Sequence, residues 1–139
     1  MEERDRESGL SQLARPQRLL GRAREAYLER RHQEAVERCR EALAALLPPG
    51  DPAGEDAEEL ASLFLATWSE HLPAVEAGRI AAVFTYFERR RAQFRFERGR
   101  PLPPREWWRM IGVPREDASE ALTATRIAIE AIRRGLAGR

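Results

Sequence analysis

The sequence predicts an all-α protein, a compact antiparallel bundle of about five helices plus one short helix. Apolar residues recur three and four positions apart through most of the 139-residue chain. β-branched residues are few, and proline and glycine fall between the periodic segments, where helices should end. Short connections make neighbouring helices antiparallel. The length suits one domain, so we expect residues 11–139 to form a single helical domain after a flexible polar tail, residues 1–10.

The first two predicted helices, residues 16–30 and 33–47, form a hairpin. In the first helix, Leu20, Ala23 and Tyr27 lie on one stripe, which Leu19 and Ala26 widen. The second helix carries a long apolar face, made of Ala35, Val36, Cys39, Ala42, Leu43, Leu46 and Leu47. The sequence "PPGDPAG" ends it, because proline lacks the amide proton and glycine tolerates a left-handed exit.

The third predicted helix, residues 55–72, begins with an acidic first turn that complements the positive end of the helix dipole. Its predicted buried face is Leu60, Leu63, Phe64, Thr67 and His71, with Trp68 beside it. The fourth predicted helix spans residues 74–98. The residues that recur three and four positions apart along it are Ile80, Val83, Phe84, Phe87, Arg91 and Phe94.

"RPLPP" stops the fourth helix, and a short helix over residues 105–111 follows it. The last helix spans residues 114–136, with a buried stripe of Leu122, Thr125, Ile129, Ile132 and Leu136. Gly135 or Gly138 is predicted to end it.

Composition excludes several classes of protein. Charged residues make up 34% of the chain and the mean hydropathy is -0.60, which describes a globular protein with a heavily charged surface. No apolar run is long enough to cross a bilayer and no secretory signal is visible, so we expect no membrane association and a bacterial cytoplasmic location. All 24 basic residues are arginine. The absence of lysine and asparagine fits a GC-rich genome or, alternatively, a hot habitat.

No motif for catalysis or for a bound group stands out. Cys39 is the one cysteine, so no intrachain disulfide or cysteine-based metal site can form. Phosphate-binding loops and the paired E-x-x-H motifs of di-iron bundles are missing. We therefore expect no cofactor, no metal and no catalytic residue. An enzyme that uses His71 with acidic residues of neighbouring helices is the third function considered.

The segment "AREAYLERRHQEAVERCREALAALLPP" resembles a tetratricopeptide (TPR) hairpin. Small residues and one aromatic mark its first helix, and Ala35, Ala42 and Leu43 have the family's spacing before the prolines. Its turn is about one residue shorter than in the family and lacks the usual glycine. No second copy follows at a period of about 34 residues, so the resemblance implies a single TPR-like hairpin and not an array.

The same hairpin, together with "REDASEALTATRIAIEAIRRGL", resembles the HEPN class of small bacterial helical bundles. Many members are RNases or toxin–antitoxin components, with a helical signature of Arg, four to six intervening residues, and His. His32 follows Arg24 with seven residues between, and His71 has no arginine in the thirty residues before it. The resemblance therefore implies a non-catalytic member that binds or acts as a scaffold.

The stretch "YFERRRAQFRFERGRPLPPREWWR", residues 86–109, contains the predicted partner-binding region, residues 87–109. Residues 89–109 hold eight arginines and two acids, whereas residues 51–88 hold eight acids and one arginine. The predicted binding residues combine cations and aromatic rings: Arg89, Arg90, Arg95, Phe96, Arg98, Arg100, Arg105, Trp107, Trp108 and Arg109.

Three interpretations of this stretch remain open. Arginine and tryptophan are typical of protein interfaces, and arginine with exposed rings also suits single-stranded nucleic acid. Alternatively, the tryptophans cover the end of the bundle and the arginines pair with the acidic segment. We expect a non-enzymatic interaction or scaffold module that binds a protein partner or itself through residues 87–109. The alternative is a HEPN-like RNA-binding or toxin–antitoxin and defence-associated protein.

Overall fold

α-Helices account for most of the residues that the structure describes. The computed structural model describes residues 11–48, 56–98 and 112–138, with the backbone alone for 94–98. The helices in these ranges are α1 (Ala14–Leu28), α2 (His32–Ala44), α3 (Ala57–Trp68), α4 (Ala74–Phe84), α5 (Tyr86–Arg98) and α6 (Arg115–Ala137). No strand occurs in these ranges, and the predicted all-α bundle is confirmed.

Two predicted elements lie outside the described residues: the polar tail, residues 1–10, and the short helix, residues 105–111. The single-domain boundary stays a prediction. In the described ranges, no helix is both long and apolar enough to cross a membrane.

The α1–α2 hairpin is closed by a tight turn at Arg30. Arg30 has φ 62°, a left-handed conformation that costs a non-glycine residue about 1–2 kcal/mol. The amide of Arg30 donates to the Tyr27 carbonyl at 3.1 Å, and that of Arg31 to the Ala26 carbonyl at 2.7 Å. These two bonds are the Schellman pattern of a helix C-terminus, so the turn forms without the glycine that usually occupies this position.

The buried face of α3 differs from the predicted one. Its buried residues are Ala57, Ala61, Phe64 and Trp68, while Leu63 is half-buried and Thr67 is exposed. Trp68 determines this rotation, because its indole N–H donates to the Leu46 carbonyl at 3.1 Å and brings the ring inside the fold. At the other end, the Asp56 carboxylate caps α3 by accepting from the Glu58 amide at 2.9 Å.

The predicted helix over residues 74–98 is two helices, α4 and α5, separated at Thr85. The Thr85 hydroxyl donates to the Ala81 carbonyl at 2.9 Å, a bond that bends helices, and Thr85 leaves helical geometry at ψ 9°. The Arg89 guanidinium then donates to the Ala82 carbonyl at 2.9 Å. Neither proline nor glycine marks this break, which is why the sequence pattern missed it.

Helix α6 is the central element, since it packs against α1, α2 and α4. Its buried face consists mainly of small residues, namely Ala118, Ala121, Ala124, Thr125, Ala128, Ile129 and Ile132. The predicted Thr125, Ile129 and Ile132 are confirmed on this face, and Leu122 and Leu136 pack beside it. Small side chains let neighbouring helices approach α6 closely.

Gly135 lies within α6, so of the two glycines predicted to end the helix, Gly138 is the one that does. A Cβ atom at this position would lie 2.7 Å from Cγ and 2.9 Å from Cε1 of His71. The imidazole of His71, which follows the end of α3, therefore occupies the space beside the glycine. The helix ends instead at Ala137, with the amide of Gly138 donating to the Arg134 carbonyl at 2.9 Å.

Candidate functional site: a groove between α4–α5 and α6

A groove of about 460 Å³ separates the α4–α5 pair from the first half of α6. Tyr86 and Asp117 lie on its opposite sides. The groove, as the name is used below, is lined by Arg79, Ala82, Val83, Tyr86, Arg89, Arg90, Gln93, Asp117, Ser119, Glu120, Ala121, Thr123 and Ala124. Its volume lies in the range of about 300–1,000 Å³ that is usual for ligand pockets.

Helical spacing explains how the α4–α5 side acquires its cations. Arg79, Tyr86, Arg89 and Gln93 are separated by seven, three and four residues, which places them along one face despite the break at Thr85. Arg90 lies beside Arg89 on the same side. Three guanidinium groups therefore border the groove from this pair of helices.

The three arginines differ in what they already bind. Arg79 is 60% exposed and reaches Glu76 of its own helix, with Nη1 at 3.6 Å from Oε1. Arg89 uses one Nη atom for the Ala82 carbonyl. The Nε of Arg90 is buried and has no hydrogen-bond partner among the residues that the structure describes. Of the three arginines, Arg90 is thus the one with a buried donor that no described residue uses.

A hydrogen bond joins the two sides of the groove. The Tyr86 hydroxyl donates to Oδ2 of Asp117 at 2.6 Å. Burial and, second, the hydrogen bond to Asp117 raise the pKa of Tyr86 above its usual value, so the phenol stays protonated at neutral pH. Its ring meets the Phe87 ring edge to face, with centroids 5.3 Å apart. Tyr86 therefore fixes the start of α5 against the first turn of α6.

The α6 side carries the opposite charge. Asp117 and Glu120 both line it, together with the hydroxyl residues Ser119 and Thr123. Glu120 is exposed. Ion pairs in the described ranges involve the arginines Arg31, Arg38, Arg40, Arg79 and Arg134. None of them crosses the groove, so Arg89, Arg90 and Glu120 face it without a charged partner in those ranges.

The predicted binding residues are only partly placed by the structure. Arg89 and Arg90 line the groove. Arg95, Phe96 and Arg98 belong to α5, for which the structure describes the backbone alone at these positions. The remaining predicted residues, Arg100, Arg105, Trp107, Trp108 and Arg109, lie outside the described residues.

Sequence reasoning missed Arg79, Tyr86 and the residues of α6. Arg79 is the one arginine within the acidic segment, and it precedes Tyr86 by seven residues and Arg89 by ten. That spacing was a visible signal of a shared face. The α6 residues carried no such signal, because their proximity depends on how distant helices pack.

A different surface lies on the other side of α5. Glu88 pairs with Arg40 of α2, with Oε1 at 3.4 Å from Nη1, and Phe87 borders a second hollow next to α2. The acidic segment therefore contributes one ion pair to α2 through Glu88. The sequence left open that the acidic segment pairs with the arginines of residues 89–109. In the described ranges, neither Arg89 nor Arg90 forms an ion pair with that segment.

The histidines pack against aromatic rings. His32 begins α2 with its ring centroid 5.8 Å from that of Tyr27, and His71 lies 6.0 Å from Trp68. Tyr27 also accepts a hydrogen bond from Nε of Arg115 at 3.1 Å, an interaction that lowers the pKa of Tyr27. In the described ranges, no cluster of three or more histidine, cysteine or acidic residues is arranged to hold a metal ion.

No protein-family model matches the chain, and no curated protein or solved structure matches it either. The resemblances to the TPR and HEPN classes therefore stay predictions. What the chain does must be inferred from the chemistry of the groove.

Proposed function

We propose that this protein is a non-enzymatic interaction module that binds a protein partner, or a second copy of itself, through the groove and the arginines of α5. The observation that carries the proposal is Arg90. Its buried Nε lacks a partner among the described residues, and an unsatisfied buried donor costs about 1–3 kcal/mol. Because this atom is enclosed, the guanidinium must turn into the groove before an acceptor on a bound partner can satisfy it.

The surroundings of Arg90 suit a protein ligand. Arg79 and Arg89 add two guanidinium groups, and Ala82, Val83, Ala121 and Ala124 add apolar surface. Arginine beside buried apolar contacts is a frequent composition of interface hot spots. Arginine also binds carboxylates with two parallel hydrogen bonds, which gives orientation as well as affinity.

Two features favour a protein over a nucleic acid. The α6 side presents Asp117 and Glu120, whose charges repel a phosphate backbone. The ring of Tyr86 meets Phe87, and its hydroxyl is bound to Asp117, so Tyr86 is not a free platform on which a base could stack. The RNA-binding alternative remains a prediction that the following experiment also tests.

Site-specific photo-cross-linking tests the proposal. A photoreactive benzoylphenylalanine replaces Thr123, which is exposed on the groove, and in a matched variant it replaces Arg22, which is exposed on α1. Both proteins are irradiated in whole-cell extract. We expect a discrete, nuclease-resistant protein adduct from position 123 and none from position 22.

Charge reversal supplies the control. The adduct should disappear when Arg89 and Arg90 are both replaced by Glu, and should persist when Arg18 and Arg22, exposed on α1, are replaced in the same way. Arg89 also donates to the Ala82 carbonyl, so a thermal melt must show that the double variant is folded. If it is not, Arg90→Ala replaces it, because this change leaves the Arg89 bond in place. A nuclease-sensitive adduct, or no adduct from position 123, would contradict the proposal.

A further inference from the structure

The two sides of the groove are oppositely charged, and this restricts what can bind there. The α4–α5 side holds Arg79, Arg89 and Arg90, whereas the α6 side holds Asp117 and Glu120. Building on the proposed function, we propose that the partner supplies a short segment of mixed charge. Its carboxylates face the three arginines, a cationic side chain faces Glu120, and small apolar side chains fill the space between.

The carboxylates of the proposed ligand are inferred from arginine donors that no described residue uses. Arg90 has a buried Nε without a partner among the described residues, and Arg89 uses one Nη atom for the Ala82 carbonyl. A carboxylate can accept two bonds from one guanidinium. Acidic side chains spaced along one edge of a segment would therefore match the arginines along α4 and α5.

The cationic side chain of the proposed ligand is inferred from Glu120. Asp117 already accepts the Tyr86 hydroxyl, whereas Glu120 is exposed and takes part in no ion pair with a described residue. A purely acidic ligand would bring its charges towards Glu120, which costs free energy at short range. A lysine or arginine on that edge of the ligand removes the repulsion and fixes the orientation of the segment.

The shape of the groove limits the segment to a few side chains. Its volume is about 460 Å³, which is that of a small-ligand pocket and not of a broad protein–protein interface. The apolar residues between the charged sides, Ala82, Val83, Ala121 and Ala124, are small. They offer shallow contact that one or two apolar side chains can fill.

The test uses a displayed library of random short peptides, selected on the wild-type protein. The strongest peptides are synthesised, and their dissociation constants are measured by fluorescence polarisation. We expect the selected peptides to contain both acidic and basic residues. Arg89→Glu with Arg90→Glu should weaken binding roughly tenfold or more, as expected for losing close charge pairs at an interface.

Glu120→Arg is the decisive variant, because the ligand classes respond to it in opposite directions. A mixed-charge segment loses its cationic contact and binds severalfold more weakly, with a smaller loss for Glu120→Gln. A purely acidic peptide or a nucleic acid binds more tightly once that negative charge is reversed. Glu25→Arg, an exposed change of the same size on α1, is the matched control and should leave affinity unchanged.

The outcomes separate this inference from the proposed function. Selected peptides that are purely acidic and gain affinity with Glu120→Arg would overturn the mixed-charge segment, while the proposed protein-binding function would stand. A selection that yields no arginine-dependent peptide also overturns it, and the cross-linking result alone then decides the proposed function. Short single-stranded RNA that binds through Arg89 and Arg90 when no peptide does would overturn both.

Discussion

Replacing Gly135 with alanine tests how closely His71, just after the end of α3, approaches α6. Alanine normally stabilises the interior of a helix by about 1 kcal/mol relative to glycine. Here the new Cβ would lie 2.7 Å from Cγ and 2.9 Å from Cε1 of His71, well inside the optimal carbon–carbon separation of about 3.5–4.0 Å. The imidazole ring must therefore move as a whole.

The expected magnitude follows from these two opposing effects. Overpacking costs about 1–3 kcal/mol, and the gain in helix propensity offsets about 1 kcal/mol of it. We expect Gly135→Ala to lower the free energy of unfolding by roughly 1 kcal/mol. In a His71→Ala background the clash is absent, so the same change should raise the free energy of unfolding by about 1 kcal/mol. The sign of the effect therefore depends on His71.

Urea denaturation followed by circular dichroism measures all four proteins, and the double-mutant cycle gives the coupling energy between the two positions. Gly78→Ala in α4 is the control, because this glycine is exposed and, apart from its chain neighbours and the backbone of its own helix, no described atom lies within 4 Å of an added Cβ. It should stabilise the protein. If Gly135→Ala stabilises the wild-type protein as much as Gly78→Ala does, the close approach of His71 is refuted.

The remaining predictions concern other parts of the fold. Arg30→Gly should raise the free energy of unfolding by about 1 kcal/mol, because glycine adopts the positive φ without strain; a loss of stability in urea denaturation would contradict the Schellman turn. Burial raises the pKa of the Cys39 thiol to about 12, so a thiol reagent should modify it only as fast as the protein opens. Immediate reaction with the native protein would count against a buried cysteine. Because the pKa of Tyr86 is raised on folding, its stabilising contribution should be complete below about pH 10 and fade as the pH rises further. Tyr86→Phe should lower stability by about 1 kcal/mol at neutral pH and reduce the loss at alkaline pH. In an ultraviolet titration Tyr27, whose pKa is lowered, should ionise first, and the reverse order would refute the two assigned hydrogen bonds.

The sequence predicted the helices because most of their boundaries are local. Pro73 and Pro114 precede helices at the predicted places, and the apolar face of α2 recurs at helical spacing, so it could be read without knowledge of its neighbours. The break at Thr85 was missed because a side-chain hydroxyl, not proline or glycine, causes it. Similar apolar side chains on adjacent faces made the buried side of α3 ambiguous until the position of Trp68 was known.

The groove was predicted in part for the same reason. Arg89 and Arg90 stand out in a run of cations, so composition alone indicated them. Their counterparts Asp117 and Glu120 belong to an ordinary acidic first turn and the turn after it. Only the packing of α6 beside α4 brings these carboxylates opposite the arginines, and no pattern within one segment contains that information.

The bond between Tyr86 and Asp117 has a consequence for the energetics of recognition. Because it joins both rims in the unliganded protein, much of the width of the cleft is set before any ligand arrives. Ordering loops and side chains at the moment of association reduces affinity, and a preorganised receptor avoids part of that entropic penalty. The phenol of Tyr86, whose hydroxyl is already bound to Asp117, thereby contributes to how tightly a partner segment is held.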